Sequence, residues 1–115
     1  MIDSERDQLH LRLIAEAVAD VQRRISSTDI VKFLSDRDEQ ALAAFRLLII
    51  GENANKLSPA LRSRHPELPW HRMIAFRNII AHEYHLADPN LVWEAASSLG
   101  AIEKLVDAEI IGPKE

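Results

Sequence analysis

The chain has 115 residues and carries a formal charge of −4. It contains no cysteine, which excludes disulfides and thiolate metal ligands. This length is typical of one domain, and we expect residues 1–115 to form a single domain. No apolar run approaches the ~18 residues of a membrane span, and no signal-peptide core is evident, so we expect a cytoplasmic protein without a membrane partner.

The first predicted helix covers residues 4–24, where apolar residues recur at three- and four-residue spacing. Ser4 followed three places later by Asp7 is a typical helix start. After a polar break, residues 30–34 are predicted to form a short helical turn that Thr28 or Asp29 can cap.

The second long helix is predicted to begin at Asp36, because Asp36 and Glu39 have the spacing of a capping box, and to end near residue 57. Its apolar residues cover a wide arc, which indicates two neighbours or a dimer interface. The residues expected to face the core are Ala41, Leu42, Phe45, Leu48 and Ile49.

A short helix over residues 59–64 precedes a third long helix over residues 70–84, which Pro69 can start. Asp88 and Pro89 then predict the start of a single last helix. The pattern predicts an all-α protein, an antiparallel bundle of four main helices with additional short helical turns. The apolar residues that define the last helix are Val92, Ala95, Leu99, Ile102 and Val106.

Positive charge is concentrated between residues 62 and 85, which contain four arginines, four histidines and only two acidic residues. An RNA-binding surface on an acidic protein requires such a local excess, and Arg64, Arg72 and His85 are its candidates. Arginines on a helical surface also serve simply for solubility.

The helix over residues 70–84 contains Arg77, Asn78, His82 and Tyr84 within eight positions. A histidine can exchange a proton with a ribose hydroxyl, and an arginine can hold a phosphate, so this set suits RNA cleavage without a metal or other cofactor. Arg77 and His82 point about 140° apart on one helix. A second copy of the helix, facing the first in a symmetric dimer, would bring the arginine and histidine side chains together.

Three further possibilities concern the same region. Glu52 lies near the end of the preceding long helix. It could pair with an arginine of the helix over residues 70–84, called the motif helix below, and orient that side chain, or it could be a solvated acid. The motif residues could also cap a helix and pair with carboxylates. His82 and His85 have a spacing that can bind zinc, but no third ligand is evident, so no metal is expected.

The order Arg77-Asn78, three residues, His82, one residue, Tyr84 resembles the signature of HEPN-domain proteins, specifically the HepT-like toxins. The resemblance extends over nearly the whole chain. Its other segments are residues 51–59 with Leu61 and Arg62, residues 65–70, Asp88, and Val92 with Trp93.

This resemblance implies a HEPN-like helical homodimer with a cleft shared by two protomers. It implies a ribonuclease toxin in which Arg77 and His82 are catalytic, with Asn78 in support. It also implies an MntA-like nucleotidyltransferase antitoxin, which would silence the toxin by transferring AMP to Tyr84, the only tyrosine of the chain.

Two alternatives remain. The chain could be a non-catalytic helical subunit of a nucleotidyltransferase, whose polar cluster holds a nucleotide or phosphate. It could also be a purely structural, dimerising bundle, in which Arg77 affects stability alone.

Overall fold

The computed structural model describes residues 2–83 and 88–112, and for residues 81–83 it describes only the helical backbone. This part of the chain contains no strand, so the all-α prediction is confirmed. It forms seven helices: α1 (Asp3–Ser26), α2 (Ile30–Leu34), α3 (Arg37–Asn55), α4 (Pro59–Ser63), α5 (Trp70–Glu83), α6 (Pro89–Ala96) and α7 (Gly100–Glu109). None of these helices is both long enough and apolar enough to cross a bilayer.

Four helix starts are fixed by a side chain that accepts a hydrogen bond from a backbone N–H of the first turn. The capping residues are Asp29, Asp36, Ser58 and Asp88, before α2, α3, α4 and α6 respectively. Each such cap typically contributes about 1 kcal/mol. The predicted starts of α2, α3 and the helix after Asp88 are therefore confirmed.

The predicted start of α1 is wrong in its detail. Ile2 is the N-cap residue and makes no side-chain cap, whereas Asp7 is buried inside the bundle. The two oxygens of Asp7 accept hydrogen bonds from the backbone N–H of Ser58 at 2.8 Å and from its hydroxyl at 2.6 Å. Because those groups belong to the start of α4, Asp7 joins α4 to α1 instead of capping its own helix.

The core side of α3 differs from the predicted one. Phe45 was expected in the core but is 52% exposed, and Ala41 is also exposed, while Leu42, Leu48 and Ile49 are only half-buried. The buried face of α3 is rich in small side chains, which let neighbouring helices approach closely. Its buried residues are Ala43, Ala44, Leu47, Ile50, Gly51, Asn53 and Ala54.

The predicted last helix is in fact two helices, α6 and α7, so the count of four main helices is not confirmed. At the break, the hydroxyl of Ser98 donates to the carbonyl of Glu94 at 2.7 Å. Serine side chains that bond the backbone in this way favour bends, and Gly100 adds poor helix propensity. Residues with continuous apolar spacing therefore occupy two helices.

The placement of α5 matters most for the candidate site. Within the described residues its main helix neighbour is α3, which also packs along α1 and α6. Ile80 is buried against the core, whereas Met73 and Phe76 are only partly buried and contact its edge. One long side of α5 therefore faces a groove and not another helix.

Candidate active site

Glu52, Arg77 and Asn78 form a connected polar group where α3 meets α5. The Nε and Nη2 atoms of Arg77 both contact Oε1 of Glu52, and Nη1 donates to Oδ1 of Asn78. The side chains of Arg77 and Glu52 are 26% and 35% exposed, so this group lies at the surface of the described structure. Of the two possibilities that the sequence left open for Glu52, these contacts correspond to pairing with an arginine of this helix.

The contacts leave part of the guanidinium group available. Arginine has five N–H hydrogens, and each terminal nitrogen has two of them. Among the described residues each nitrogen of Arg77 has one partner, and these contacts use one of the two hydrogens on each terminal nitrogen. A phosphate oxygen pair is the acceptor that this geometry fits best.

Gly51 explains how α5 comes close enough for this arrangement. A Cβ atom added to Gly51 would lie 2.5 Å from Cβ of Arg77 and 3.3 Å from the carbonyl oxygen of Met73. Real Cβ atoms do not approach each other so closely, so the absence of a side chain at this position lets α3 and α5 touch. The same contact places the stem of Arg77 beside Glu52.

His82, the second proposed catalytic residue of the signature, lies near the end of α5. The backbone of His82 is within this helix, and its side chain lies outside the described part of the structure. Tyr84 and His85 lie outside the described residues as well. The roles predicted for His82, Tyr84 and His85, and the expectation that no metal binds there, stay predictions.

A groove of about 430 Å³ lies between α5 on one side and α6 and α7 on the other. Its floor includes Gly51, and its walls are mainly apolar, with Ile79 and Leu91 47% and 55% exposed. Charged residues of both signs line it as well: Arg72 on α5, Asp88 at the start of α6 and Glu94 on α6. Arg72, predicted to bind RNA, therefore lies on the groove.

Arg64, the other arginine predicted to bind RNA, pairs with a carboxylate outside the groove. Its Nε and Nη2 donate to the two carboxylate oxygens of Glu109 at 3.1 Å and 2.9 Å. The hydrogen bond from Arg64 lowers the pKa of Glu109 to about 2, with a smaller contribution from His65 and against the opposing effect of burial. The same bond raises the pKa of Arg64. The structure thus ties Arg64 to the end of α7 and not to the polar group around Arg77.

Among the described residues, no three side chains of the His, Asp or Glu type gather in a way that could hold a metal ion. The described part of the site consists of the Arg77 guanidinium, the Glu52 carboxylate and the Asn78 amide.

Comparison with known proteins identifies the family. A family model described as ribonuclease HepT-like matches residues 14–109. The chain belongs to the HepT-like ribonuclease family. The resemblance seen in the sequence is thereby confirmed, and so is the prediction of a ribonuclease at the level of the family.

Three similar proteins illustrate the relationship. A Thermococcus cleftensis protein named probable ribonuclease HepT is 30% identical over 101 residues, which cover 84% of this chain and 92% of that protein. A Methanocaldococcus jannaschii protein with an RNase name is 30% identical over 92 residues, covering 79% and 84% of the two chains. Another from Caldanaerobacter subterraneus is 30% identical over 87 residues, covering 74% and 73%. No solved structure matches the chain.

Two features of this HepT-like chain were missed in the sequence. Gly51 belongs to a segment that resembles the family, but nothing in its spacing indicated that it contacts Arg77. The contacts of Glu109 with Arg64 and His65 join residues more than 40 positions apart, and no local pattern announces them.

Proposed function

We propose that the chain is a single-domain, cytoplasmic endoribonuclease toxin. Arg77 and His82 would catalyse the cleavage of RNA without a metal or cofactor. The observation that carries the proposal is the guanidinium of Arg77, held between Glu52 and Asn78 on the helix that also contains His82. Membership of the HepT-like ribonuclease family supports the choice of RNA as substrate.

The proposed reaction needs one phosphate-binding group and one proton-transferring group. The ribose 2′-oxygen attacks the adjacent phosphorus, the bond to the 5′-oxygen breaks, and the products end in a 2′,3′-cyclic phosphate and a 5′-hydroxyl. His82 would take the proton from the 2′-hydroxyl or give one to the leaving oxygen. Arg77 would bind the phosphate and stabilise the charge that develops on its oxygens.

A homodimer would supply both groups to one cleft. Arg77 and His82 are five positions apart on α5, so they point about 140° from each other. The groove beside α5 has a mainly apolar lining that also includes Arg72 and the carboxylates of Asp88 and Glu94. A surface with both signs of charge can pair with a copy of itself about a two-fold axis, as an isologous interface requires. We propose that this groove faces its counterpart in the dimer.

Leu91→Glu is expected to convert such a dimer to a monomer, because it places a charge among the apolar residues that line the groove. The matched control is Val31→Glu, since Val31 is 73% exposed on α2 and lies outside the groove. Light scattering after size exclusion measures the mass directly. Wild type and the control should have twice the 13.0 kDa chain mass, and Leu91→Glu should have the single value. A Leu91→Glu protein that stays dimeric would contradict this interface.

The proposed partner is an MntA-like nucleotidyltransferase antitoxin. The Tyr84 hydroxyl would attack the α-phosphate of ATP, so that AMP joins the tyrosine and pyrophosphate leaves. Tyr84 is two positions after His82 in the sequence. A negatively charged nucleotide attached there would repel the RNA backbone and compete with it for Arg77.

His82→Ala is expected to abolish toxicity when the protein is expressed in a bacterial host, because the proton-transferring group is lost. Wild type should arrest growth and deplete RNA, and His71→Ala should do the same, since His71 lies on the same helix outside the signature. Circular dichroism of each purified protein checks that it is folded. Cleavage of RNA by the purified wild type should persist in excess EDTA.

Equal toxicity of wild type and His82→Ala would place the chemistry elsewhere. Absence of toxicity and of cleavage by the wild type would favour the non-catalytic partner subunit. In that case, binding to the nucleotidyltransferase should survive His82→Ala.

A further inference from the structure

His65 is a hub of contacts just before the motif helix. Its imidazole Nε2 lies 2.6 Å from Oε2 of Glu109 at the end of α7. Its carbonyl oxygen accepts hydrogen bonds from the backbone N–H of Leu68 at 3.2 Å and from the indole N–H of Trp70 at 2.9 Å. Trp70 is the first residue of α5. One residue thus connects the end of α7 to the start of the helix that contains Arg77.

The end of α7 is itself fixed to α1. The side chain of Gln8 donates to the carbonyl of Glu109 at 2.9 Å and accepts from the N–H of Ile111 at 2.8 Å. Arg64 adds its two bonds to the Glu109 carboxylate from the end of α4. Glu109 is therefore held by elements that are independent of α5, and it can serve as a fixed point.

The start of α5 needs such a fixed point. Among the described residues α5 packs along its length mainly on α3, and its other side faces the groove, so the contacts at its first turn help to set its direction. Arg77 is seven residues from Trp70, about 10 Å along the helix axis. A tilt of about 5° would then displace Arg77 by about 1 Å, and His82 by more. A displacement of that size at reacting groups can cost about 100-fold in rate.

We propose that Glu109 and His65 are positioning residues for the ribonuclease site: they set the direction of α5 and, through it, the place of Arg77 in the cleft. The expected effect on kcat rests on the proposed function, whereas the effect on the direction of α5 rests on the contacts described above. Glu67, which approaches His65 Nδ1 at 3.5 Å, is 68% exposed and contributes less to the hub.

Glu109→Gln tests the proposal, because it keeps the shape of the side chain and removes the charge that holds Arg64 and His65. We expect kcat for RNA cleavage to fall about 10- to 100-fold with KM within about twofold of wild type, since RNA still binds but meets a displaced Arg77. The matched control is Glu103→Gln, on the same helix, whose carboxylate contacts Gln22 and not the hub. Its kcat should equal that of wild type.

A second variant keeps the test decisive if Glu109→Gln does not fold. Trp70→Phe keeps an aromatic ring at the start of α5 and removes the N–H that bonds to the His65 carbonyl. Its kcat should also fall at constant KM, but by less than in Glu109→Gln. A general loss of stability in Glu109→Gln would instead lower the fraction of folded protein, which circular dichroism measures, while Glu103→Gln stays folded and active.

The indole N–H signal of Trp70 in a nitrogen–proton NMR spectrum gives a readout independent of activity. In Glu109→Gln it should shift and lose its protection from solvent exchange, while the indole signal of Trp93, which packs on Phe33, stays unchanged. If the wild type does not cleave RNA, the proposed function fails, and the NMR result alone then decides the positioning role. Folded Glu109→Gln and Trp70→Phe proteins with wild-type kcat, or an unchanged Trp70 signal in Glu109→Gln, would overturn the inference.

Discussion

Arg77→Ala is expected to reduce RNA cleavage by about 10³-fold, because it removes the donors that stabilise charge on the reacting phosphate. Its effect on folding should be small. The Arg77–Glu52 pair lies at the surface, with side chains 26% and 35% exposed, and such pairs contribute about 0–1 kcal/mol to stability. Alanine also keeps the Cβ atom that packs at Gly51. Activity and stability should therefore separate in this variant, which a purely structural role of Arg77 does not allow.

Two further substitutions probe how the guanidinium is held. Arg77→Lys keeps the charge but has a single nitrogen, which cannot contact Glu52 and Asn78 together and still present two donors to a phosphate. It should be nearly as inactive as Arg77→Ala. Glu52→Gln keeps the side-chain shape and loses the ion pair, so Arg77 remains but is less well oriented. A smaller loss, about tenfold in kcat, is expected.

Single-turnover cleavage of a labelled RNA measures these rates, and urea unfolding measures the stability. Arg23→Ala is the matched control, since Arg23 is a surface arginine of α1, 68% exposed and paired with Asp20. It should change neither quantity appreciably. Cleavage by Arg77→Ala at the wild-type rate would remove Arg77 from the mechanism.

The features of this fold that could be predicted from sequence are local ones. Asp29, Asp36 and Asp88 each bond a backbone N–H two or three residues ahead, so the signal and its effect lie within one helical turn. The apolar spacing of α1 likewise belongs to a single element. Such patterns need no knowledge of the neighbouring helices.

The features that could not be predicted depend on which surfaces meet. Phe45 and Leu47 are both apolar residues of α3, and only the close approach of other helices to the small side chains decides that Leu47 is buried and Phe45 exposed. Asp7 has the spacing of a helix start, yet its partner Ser58 is 51 positions away. Propensity gives no information about contacts of that separation.

The candidate site divides in the same way. The types and order of Arg77, Asn78 and His82 suggested RNA chemistry, and their resemblance to a known signature named the family. The pairing with Glu52 was one of two possibilities in the sequence, and the contact between α3 and α5 decides it. The need for glycine at position 51 appears only when the two helices are placed side by side.

Gly51→Ala should destabilise the protein by about 1–2 kcal/mol and displace Arg77. Two effects oppose each other in this variant. Alanine is the better helix former in the middle of α3, which favours the variant by about 1 kcal/mol. The added methyl group, however, would lie 2.5 Å from Cβ of Arg77, and overpacking of this kind typically costs about 1–3 kcal/mol.

Overpacking should outweigh the gain in helix propensity, because the added methyl group would meet Cβ of Arg77. The obstructing atom is attached directly to the backbone of α5, so no side-chain rotation can relieve the contact, and the carbonyl of Met73 lies only 3.3 Å away. Relief requires α5 to move away from α3, which carries Arg77 away from Glu52. Cleavage should therefore fall more steeply than stability, with a loss of about 100-fold in kcat.

Gly100→Ala is the control that isolates the helix contact from helix propensity. A Cβ atom at Gly100, the first residue of α7, meets no atom within 4 Å, so alanine there should leave cleavage unchanged and stability equal or slightly higher. Urea unfolding of both variants and cleavage under single-turnover conditions make the comparison. If Gly51→Ala were as stable and as active as Gly100→Ala, α3 and α5 would not need to touch at residue 51, and the placement of Arg77 would have to depend on the hub at His65 alone.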